Sequence, residues 1–446
     1  MLSCLYCLVF FSSFISSYYI PEDNHNITEI NSFAFGSCYN LKKSISKYTI
    51  FNVIDKHKPD VFMWLGDAAY VRYAKESRWK IVRKYKYFFN VFDKFNKTKV
   101  LRQYNNTKYS PDYYNFNKKT PVIGVWDDND YGQNDGNKYF PYKEQMKEIF
   151  LDFLDEPKDS HRRQPNKAIY TTYSFGDKKS YKSIRVILLD VRYEKSAWVD
   201  KDRDMLGEEQ WKWFEEVLTK ANETFILIAS GTQILPFDRL FSEAWLPEGR
   251  TRLFNLLRKV KKNGVLLLTG DIHNAQILRT PCVIPEIGYP LYEITSSGLG
   301  HYCKPNCDLI IDHILPSYYK YTPTINYYNY AQLDFDWGKR KEDSKVTIKM
   351  IDIDDRVRIN IDITYDELTN KNNKGDEKCI DNISRRFRPI KEYLTFYLNK
   401  RENGVYFYGI VFGVCVIISV LLNIVVVLYC LCTKCRKKNK DKLKKE

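Results

Sequence analysis

Three apolar runs that each end abruptly in carboxylates constrain the fold of this chain more than any other feature. The first run precedes Asp67, the second precedes Asp128, and the third precedes Asp271, with His273 two residues further on. Short apolar runs of this kind predict buried strands, and open α/β sheets form their sites at the carboxyl ends of strands. Clustered carboxylates repel one another unless cations lie between them. The pattern therefore predicts an α/β fold that binds a pair of metal ions.

The rest of the chain indicates one layered domain followed by a membrane attachment. Predicted helices and strands alternate over residues 30–368, which is typical of layered α/β architecture. A polar, Asn- and Lys-rich region follows, and we expect residues 369–404 to form a membrane-proximal stalk. Residues 405–432 contain no charged side chain, and about 20 apolar residues suffice to span a bilayer. We therefore expect one C-terminal transmembrane helix.

Charge next to this helix predicts its orientation. Residues 433–446 are rich in Lys and Arg, so the positive-inside rule makes them a cytoplasmic tail. We expect a single-pass type I membrane protein whose large domain is lumenal or extracellular. Residues 1–17 resemble a secretory signal peptide. Five Asn-x-Ser/Thr sequons fit a glycoprotein in that location, and they begin at Asn26, Asn96, Asn105, Asn222 and Asn382.

The charge distribution argues against a nucleic-acid partner. The net charge is +15, but the basic residues lie partly in the C-terminal tail and are otherwise spread through the chain. A nucleic-acid-binding protein would concentrate basic and aromatic residues in one patch. We therefore expect no nucleic-acid partner, and the sequence leaves the oligomeric state open.

The cysteines of the predicted domain are odd in number, which indicates one unpaired thiol in an oxidising compartment. They are Cys38, Cys282, Cys303, Cys307 and Cys379. Our candidate for the free thiol is Cys38. The segment from His301 through Cys303 to Cys307 could bind zinc. However, it lacks a second cysteine pair at the expected spacing, so disulfides are favoured, and their pairing stays open.

Five short motifs, taken in order, resemble the alkaline phosphatase D (PhoD-like) family of calcineurin-like, purple-acid-phosphatase-type metallophosphoesterases. The motifs are Phe35-Gly36-Ser37-Cys38, Leu65-Gly66-Asp67-x-x-Tyr70, Trp126-Asp127-Asp128-Asn129-Asp130-Tyr131, Leu188-Leu-Asp190-x-Arg192-Tyr193 and Gly270-Asp271-x-His273. The resemblance covers about residues 31 to 300. It implies a four-layer α/β/β/α sandwich with a dinuclear metal centre at one edge.

The resemblance also implies an activity and a set of metal ligands. It implies hydrolysis of phosphoester substrates by attack of a metal-bound hydroxide, with two or more metal ions, iron together with calcium or another divalent cation. The implied ligands are Cys38, Asp67 and Tyr70 for the iron-like ion, with Asp67 reaching both ions, and Asp128, Asp271 and His273 completing the pair. A thiolate and a phenolate both suit ferric iron. A disulfide at Cys38 is the alternative.

Two positions near the predicted centre are candidate catalytic residues. The family pattern has a histidine where this chain has Asn129, and general acid catalysis is worth about 10²–10⁴-fold. Asn129 would therefore make the enzyme slow, or would bind a phosphate oxygen as a neutral donor. Arg192 is a candidate phosphate clamp because a guanidinium binds phosphate through two donors, and an ordinary surface arginine is the alternative. Asp190 would orient Arg192, and Gln233 would lie behind the metal ligands.

These alternatives leave three hypotheses for the function. The first is a membrane-anchored binuclear metallophosphatase. The second is a phosphodiesterase or phospholipase of the same fold, which the expected membrane location favours. The third is a catalytically weak ectodomain that binds phosphorylated ligands, which Asn129 motivates.

Overall fold

Two sheets of six strands each carry the fold in the described part of the chain. The computed structural model describes residues 29–41, 50–71, 94–177, 179–197, 200–236, 243–281, 283–303, 319–370 and 413–424. The described residues fall into two units, the first within Met1–Tyr73 and Lys94–Pro389 and the second within Ala74–Asp93 and Ile390–Glu446. Both sheets belong to the first unit.

The strands of the first unit are numbered in chain order. They are β1 (Ser32–Gly36), β2 (Val61–Leu65), β3 (Val122–Val125), β4 (Thr171–Gly176), β5 (Ser183–Leu189), β6 (Phe225–Ser230), β7 (Val265–Thr269), β8 (Ala275–Thr280), β9 (Leu291–Ser296), β10 (Asn329–Asp336), β11 (Lys345–Asp352) and β12 (Val357–Thr364).

The α-helices of the same unit follow the same numbering. They are α1 (Ile50–His57), α2 (Lys97–Lys108), α3 (Pro111–Asn117), α4 (Asp128–Tyr131), α5 (Lys143–Phe153), α6 (Gly207–Lys220), α7 (Pro247–Val260) and α8 (Ile284–Ile287). Short 3-10 helices lie at His161–Arg163, Lys341–Asp343 and Asp366–Leu368.

Each sheet is mixed, with a parallel part that positions the candidate site. The strand order of the first sheet is β12-β11-β10-β1-β2-β3, in which β1, β2 and β3 are parallel. The order of the second is β4-β5-β6-β7-β9-β8, in which β5, β6, β7 and β9 are parallel. The antiparallel strands β4 and β8 form its edges. The parallel strands of each sheet therefore direct their carboxyl ends toward one edge of that sheet.

Aromatic side chains join the two sheets face to face. The rings of Phe33 on β1 and Phe175 on β4 have centroids 5.2 Å apart, and those of Phe225 on β6 and Phe335 on β10 are also 5.2 Å apart. All four rings are buried. Edge-on and tilted contacts at this distance are favourable for aromatic pairs, so this cluster forms the core between the sheets.

Helices pack against the outer side of the first sheet, and Phe51 makes contacts there with both a strand and a neighbouring helix. Phe51 of α1 is fully buried, and its ring lies 5.5 Å from that of Phe62 on β2 and 4.8 Å from that of Tyr113 on α3. In the second sheet, α6 and α7 bury apolar faces that include Trp211 and Leu253. The predicted mixed α/β class with two multi-stranded sheets is confirmed, and the full four-layer order stays a prediction.

Most predicted elements appear within one to three residues of their expected bounds. The strand over Ser32–Gly36 and the strand over Val265–Thr269 have the predicted bounds. The predicted C-terminal hairpin is β11 and β12, paired antiparallel. Two strands that the sequence did not predict, β8 and β10, complete the sheets.

The second unit contributes one described helix, over residues 413–424, whose Val, Ile and Leu side chains are exposed. In the part of the chain that the structure describes, we find no helix with the length and apolar character needed to cross a membrane. The rest of the predicted transmembrane segment, the predicted signal peptide, residues 371–404 and the basic tail lie outside the described residues.

Candidate metal centre

The predicted ligands follow parallel strands of both sheets. In the first sheet, β1 leads into Cys38, β2 into Asp67 and β3 into Asp128. In the second sheet, β7 leads into Asp271 and His273. The face-to-face packing of the sheets brings these carboxyl ends together, as expected for sites in α/β folds. Residues separated by more than 200 positions therefore share one site.

Two clusters of potential ligand atoms meet at Asp67. In the first cluster, donor atoms of Cys38, Asp67 and His273 all lie within 4.8 Å of one another. In the second, carboxylate oxygens of Asp67, Asp127 and Asp128 lie within the same distance of one another. A carboxylate that belongs to two clusters is suited to bridging two cations. The geometry agrees with the ligand set implied for Cys38, Asp67, Asp128 and His273.

Tyr70 and Asp271 lie at the same centre. The Tyr70 hydroxyl is 3.2 Å from His273 Nε2, so the two groups can exchange a hydrogen bond. Asp271 is partly exposed. The pKa of its carboxyl is nevertheless raised well above the usual value, first by desolvation and then by the charges of Asp127 and Asp128. Tyr70 therefore contacts a member of the first cluster, whereas Asp271 lies close enough to interact electrostatically but belongs to neither cluster of the described residues.

Four of these residues have a left-handed backbone conformation. The φ angles are 62° at Cys38, 55° at Asp67, 73° at Asp271 and 57° at His273. Positive φ is uncommon for residues other than glycine, and each instance costs about 1–3 kcal/mol when the surrounding structure imposes it. Strained residues of this kind cluster at functional sites. Their coincidence at one centre supports a functional role for that centre.

Glycine is required before two of the carboxylates, for different reasons. Gly66 has a φ of 87°, and a Cβ there would lie 2.2 Å from Cβ of Asp127. Gly270 has no positive φ, but a Cβ there would lie 2.4 Å from Oγ of Ser37 and 2.6 Å from the carbonyl oxygen of Leu65. Glycine therefore permits the sharp turn at Gly66 and the close approach of the two sheets at Gly270.

The raised pKa values of the acidic groups in this centre indicate that it is suited to binding cations. Burial raises the pKa of the Asp67 carboxyl well above its ordinary range, and the neighbouring charges of Asp128, Asp127 and Asp130 raise it further. Burial also raises the pKa of the Cys38 thiol, with Asp67 as the next cause. Oδ2 of Asp127 is buried without a hydrogen-bond partner. Bound cations would satisfy that oxygen and favour the charged forms of all these groups.

The side-chain amide of Asn129 lies between the carboxylates of the second cluster. Its Nδ2 donates to Asp67 Oδ2 at 2.6 Å and to Asp128 Oδ1 at 2.7 Å, and its backbone N–H donates to Asp67 Oδ1 at 3.1 Å. Asn129 is 2 % exposed. Because both amide donors point at carboxylates, the structure places Asn129 as a group that orients Asp67 and Asp128.

The guanidinium of Arg192 is fully buried behind the carboxylates. Its Nε donates to Asp127 Oδ1, Nη1 donates to Glu243 Oε2 at 2.6 Å, and Nη2 donates to Thr232 Oγ1 at 2.7 Å. Each guanidinium nitrogen therefore has a protein acceptor. Oδ1 of Asp190 accepts a hydrogen bond from the backbone N–H of Arg192 at 2.9 Å, so Asp190 contacts the main chain of this residue and not its guanidinium.

Gln233 is buried next to β9. Its Nε2 donates to Oγ1 of Thr295 on β9 at 3.0 Å, while its Oε1 is buried without a hydrogen-bond partner. The position of Gln233 behind the metal ligands stays a prediction.

Several residues of the centre were not predicted. Asp127 belongs to the second cluster, and its place in the Asp-Asp motif was an available signal. Ser297 donates from Oγ to Cys38 Sγ at 3.0 Å, and no sequence pattern marks it. Asp128 also lies in a third acidic group, with Asp135 and Glu243. There, however, Glu243 is already paired with Arg192 and Lys195.

The two cysteine predictions that fall on described residues are confirmed. Cys38 is a free, buried thiol. Cys303 is disulfide-bonded, which agrees with the disulfide interpretation of its loop and removes it as a zinc ligand. The other candidate cysteines, Cys282, Cys307 and Cys379, lie outside the described residues.

Comparisons with known proteins identify the family of this chain. A family model described as PhoD-like phosphatase matches residues 33–297. Alkaline phosphatase D of Bacillus subtilis (strain 168) is 23% identical over an alignment of 354 residues, and the match covers 70% of this chain and 57% of that protein. The chain therefore spans little more than half the length of this relative.

Two solved structures match the chain, and the first of them shows the fold. One, described as the structure of PhoD, superimposes with a TM-score of 0.57 at 15% identity, covering 83% of this chain and 76% of that chain. The other is GAP50, the anchor in the inner membrane complex of Plasmodium, with a TM-score of 0.41, 12% identity and coverage of 83% and 95%. Because the family model spans more than half of the 446 residues, the chain belongs to the PhoD-like phosphatase family.

Proposed function

We propose that this protein is a phosphoric ester hydrolase that uses two cations, one at each ligand cluster. The observation that carries the proposal is the position of Asp67, which belongs to both the Cys38–His273 cluster and the Asp127–Asp128 cluster. Family membership supports the class of reaction. Bound there, the cations would supply Lewis acidity toward phosphoryl oxygens and would lower the pKa of a water molecule.

The residues of the chain prepare this centre before any substrate binds. Asn129 fixes the orientation of Asp67 and Asp128 through its amide donors. Arg192 holds Asp127 and neutralises part of the negative charge. Preorganised groups of this kind need no rearrangement during the reaction, which is the largest contribution of many active sites. We therefore assign Asn129 and Arg192 a positioning role, in which they orient the candidate ligands and do not contact the substrate.

The ligand set favours two different ions. A thiol, a phenol and an imidazole meet at Cys38, Tyr70 and His273, and this set suits ferric iron. The second cluster offers only carboxylate oxygens, which suit calcium or another hard divalent cation. We therefore propose iron at the first cluster and calcium at the second. Elemental analysis of purified protein tests both assignments.

Substitution of the shared carboxylate tests the hydrolase. Asp67→Asn should abolish hydrolysis of p-nitrophenyl phosphate and of bis-p-nitrophenyl phosphate, and the metal content should fall. Asp159→Asn, at an exposed aspartate, is the matched control and should leave both unchanged. Hydrolysis that survives Asp67→Asn at the wild-type rate would remove the proposal. The ratio of the two substrate rates separates a monoesterase from a phosphodiesterase or phospholipase.

A second candidate function is a binding protein for phosphorylated ligands with little turnover. The observation that favours it concerns Asn129, whose amide donates to the carboxylates of Asp67 and Asp128. The chain has this amide in place of an imidazole that could protonate a leaving group. This alternative predicts that the metal-loaded protein binds inorganic phosphate but hydrolyses none of a panel of phosphoesters.

We also propose that the protein is anchored to a membrane by residues 405–432, with its phosphatase domain on the lumenal or extracellular side. The uncharged segment and the basic residues after it support this topology. Three of the five sequons, at Asn96, Asn105 and Asn222, are exposed in the structure. Alkaline carbonate extraction of cell membranes and an endoglycosidase mobility shift test the proposal. Release of unglycosylated protein into the soluble fraction would contradict it.

A further inference from the structure

The segment 297–303, which follows β9, runs along the candidate metal centre. Ser297 Oγ donates to Cys38 Sγ at 3.0 Å and accepts the backbone N–H of His273 at 2.9 Å. The N–H of Gly300 donates to the carbonyl of Cys38 at 3.1 Å. The start of this segment is therefore attached to ligands from both sheets.

The end of the same segment is fixed as well. The backbone N–H of Cys303 donates to the carbonyl oxygen of His273 at 2.9 Å, and Cys303 is disulfide-bonded. Because both ends are held, His301 has little freedom to move away from the centre. The sequence singled out His301 as a possible zinc ligand, and the metallophosphatase ligand set did not account for it.

The ring of His301 lies against two of the candidate ligands. Its centroid is 4.0 Å from that of the His273 ring and 6.0 Å from that of the Tyr70 ring. In the described part of the chain, the ligand cluster within 4.8 Å consists of Cys38, Asp67 and His273, and His301 stands outside it. The imidazole is thus adjacent to the ligands without belonging to their cluster.

Exposure indicates which side of the centre is open. Cys38 and Asp67 are buried, at 0% and 1% exposure, so a substrate cannot approach past them. Tyr70, His273 and His301 are partly exposed. A phosphoester that reaches the centre therefore passes the side on which the His301 ring lies.

We propose that His301 is a substrate-contacting residue that donates an N–H hydrogen bond to a phosphoryl oxygen of the substrate held at this centre. The proposal rests on the proposed hydrolase function and specifies part of its binding site. The amide of Asn129 is occupied by Asp67 and Asp128, so it does not supply this donor. An imidazole carries an N–H in either protonation state.

The test measures binding of inorganic phosphate to the full-chain, metal-loaded protein by calorimetry, with elemental analysis of each variant. His301→Ala should weaken phosphate binding roughly 10- to 100-fold, since a hydrogen bond to a charged group is lost, while the metal content stays at the wild-type value. His301→Gln retains an N–H donor and should recover most of the affinity. His57→Ala removes a histidine on α1 that pairs with Asp355, away from the centre, and should bind phosphate like the wild type.

The outcomes separate this inference from the function it rests on. Unchanged phosphate affinity in His301→Ala, in a wild-type background that hydrolyses phosphoesters, overturns the inference and leaves the hydrolase intact. Loss of metal from both His301 variants also overturns it, because His301 would then support the ions and not the substrate. A wild-type protein that holds metal but neither binds phosphate nor hydrolyses any ester overturns both proposals.

Discussion

The side-chain nitrogen Nδ2 of Asn129 lies 2.6 Å from carboxylate oxygen Oδ2 of Asp67. This contact lowers the pKa of a carboxyl that burial and neighbouring charges raise. Asn129 therefore keeps Asp67 closer to the charged form that a cation needs. Asn129, which stands where the family pattern has a histidine, therefore supports a candidate ligand directly.

Removal of this amide should weaken metal binding. Asn129→Ala leaves Asp67 and Asp128 without a shared donor, so the pKa of Asp67 rises and protons compete better with cations. We expect metal affinity near neutral pH to fall roughly 10- to 100-fold, the cost of a hydrogen bond to a charged group. Titration of the metal-free protein followed by calorimetry measures this change. Asn115→Ala, at an exposed position on α3, is the control, and equal affinities in the two variants would contradict the assigned role.

The buried guanidinium should matter for stability more than for substrate affinity. Arg192→Lys keeps the charge, but its single nitrogen cannot reach the acceptors on Asp127, Glu243 and Thr232 together, and leaving a buried acceptor without its donor costs about 1–3 kcal/mol. We expect a free energy of unfolding lower by that amount and a reduced metal content. Urea denaturation provides the measurement. Arg252→Lys, at a partly exposed pair with Glu208, should cost about 1 kcal/mol or less. A fall in phosphate affinity without loss of stability would instead indicate direct contact of Arg192 with the substrate.

The visible absorption spectrum of the metal-loaded protein should depend on the free thiol of Cys38. If Cys38 binds ferric iron as a thiolate, Cys38→Ser removes a charge-transfer donor, and the visible absorption of the purified protein should shift and weaken. The iron content should also fall, because a serine hydroxyl stays protonated at neutral pH and is a poorer ligand than a thiolate. Cys415→Ser alters another free cysteine, one that is exposed, and should leave the spectrum unchanged. Identical spectra for both variants would exclude Cys38 as an iron ligand.

The metal-free protein should lose stability as the pH rises. Burial raises the pKa of Asp127 and of Asp130 from 3.8 to about 7, so the folded state keeps protons that the unfolded chain has released. The unfolded state thus binds fewer protons between about pH 4 and pH 7, and the free energy of unfolding falls across that interval.

Each shift of about three pKa units corresponds to about 4 kcal/mol, so we expect the free energy of unfolding of the metal-free wild type to fall by several kcal/mol across this interval. Asp130→Asn should flatten part of this dependence, because Asp130 is a buried acceptor for the backbone of Ala68 and Ala69 and is not a proposed ligand. Chemical denaturation at several pH values measures the slope. A metal-free protein whose stability rises from pH 4 to pH 7 would contradict the assigned shifts.

The parallel strands and their carboxyl ends could be predicted from sequence because their pattern is local. The run Val265–Thr269 is apolar throughout and stops at Gly270, and the strand in the structure has those bounds. Strand β8 was not predicted, since the polar residues Gln276 and Arg279 interrupt its apolar run. Its identity as a strand depends on pairing with β9, which no local pattern encodes.

The positions of the candidate ligands could be predicted for a related reason, while their environment could not. Asp67, Asp128 and Asp271 each follow a predicted strand, so the sheet brings them together. By contrast, the left-handed backbone of Cys38 and the contacts of Ser297 depend on chain segments more than 200 residues apart in sequence. The burial of Arg192 likewise depends on Glu243, which lies in a region with no motif.

The division of the centre between the two sheets has a mechanical consequence. An ion that binds both Cys38 and His273 would covalently tie a strand of one sheet to a strand of the other, as a disulfide does between distant positions. Loading with metal should therefore slow amide exchange along β1 and β7 together, even where neither strand touches the ion. Ions bound at this centre would then stabilise both sheets at once, in addition to the role in hydrolysis that we propose for them.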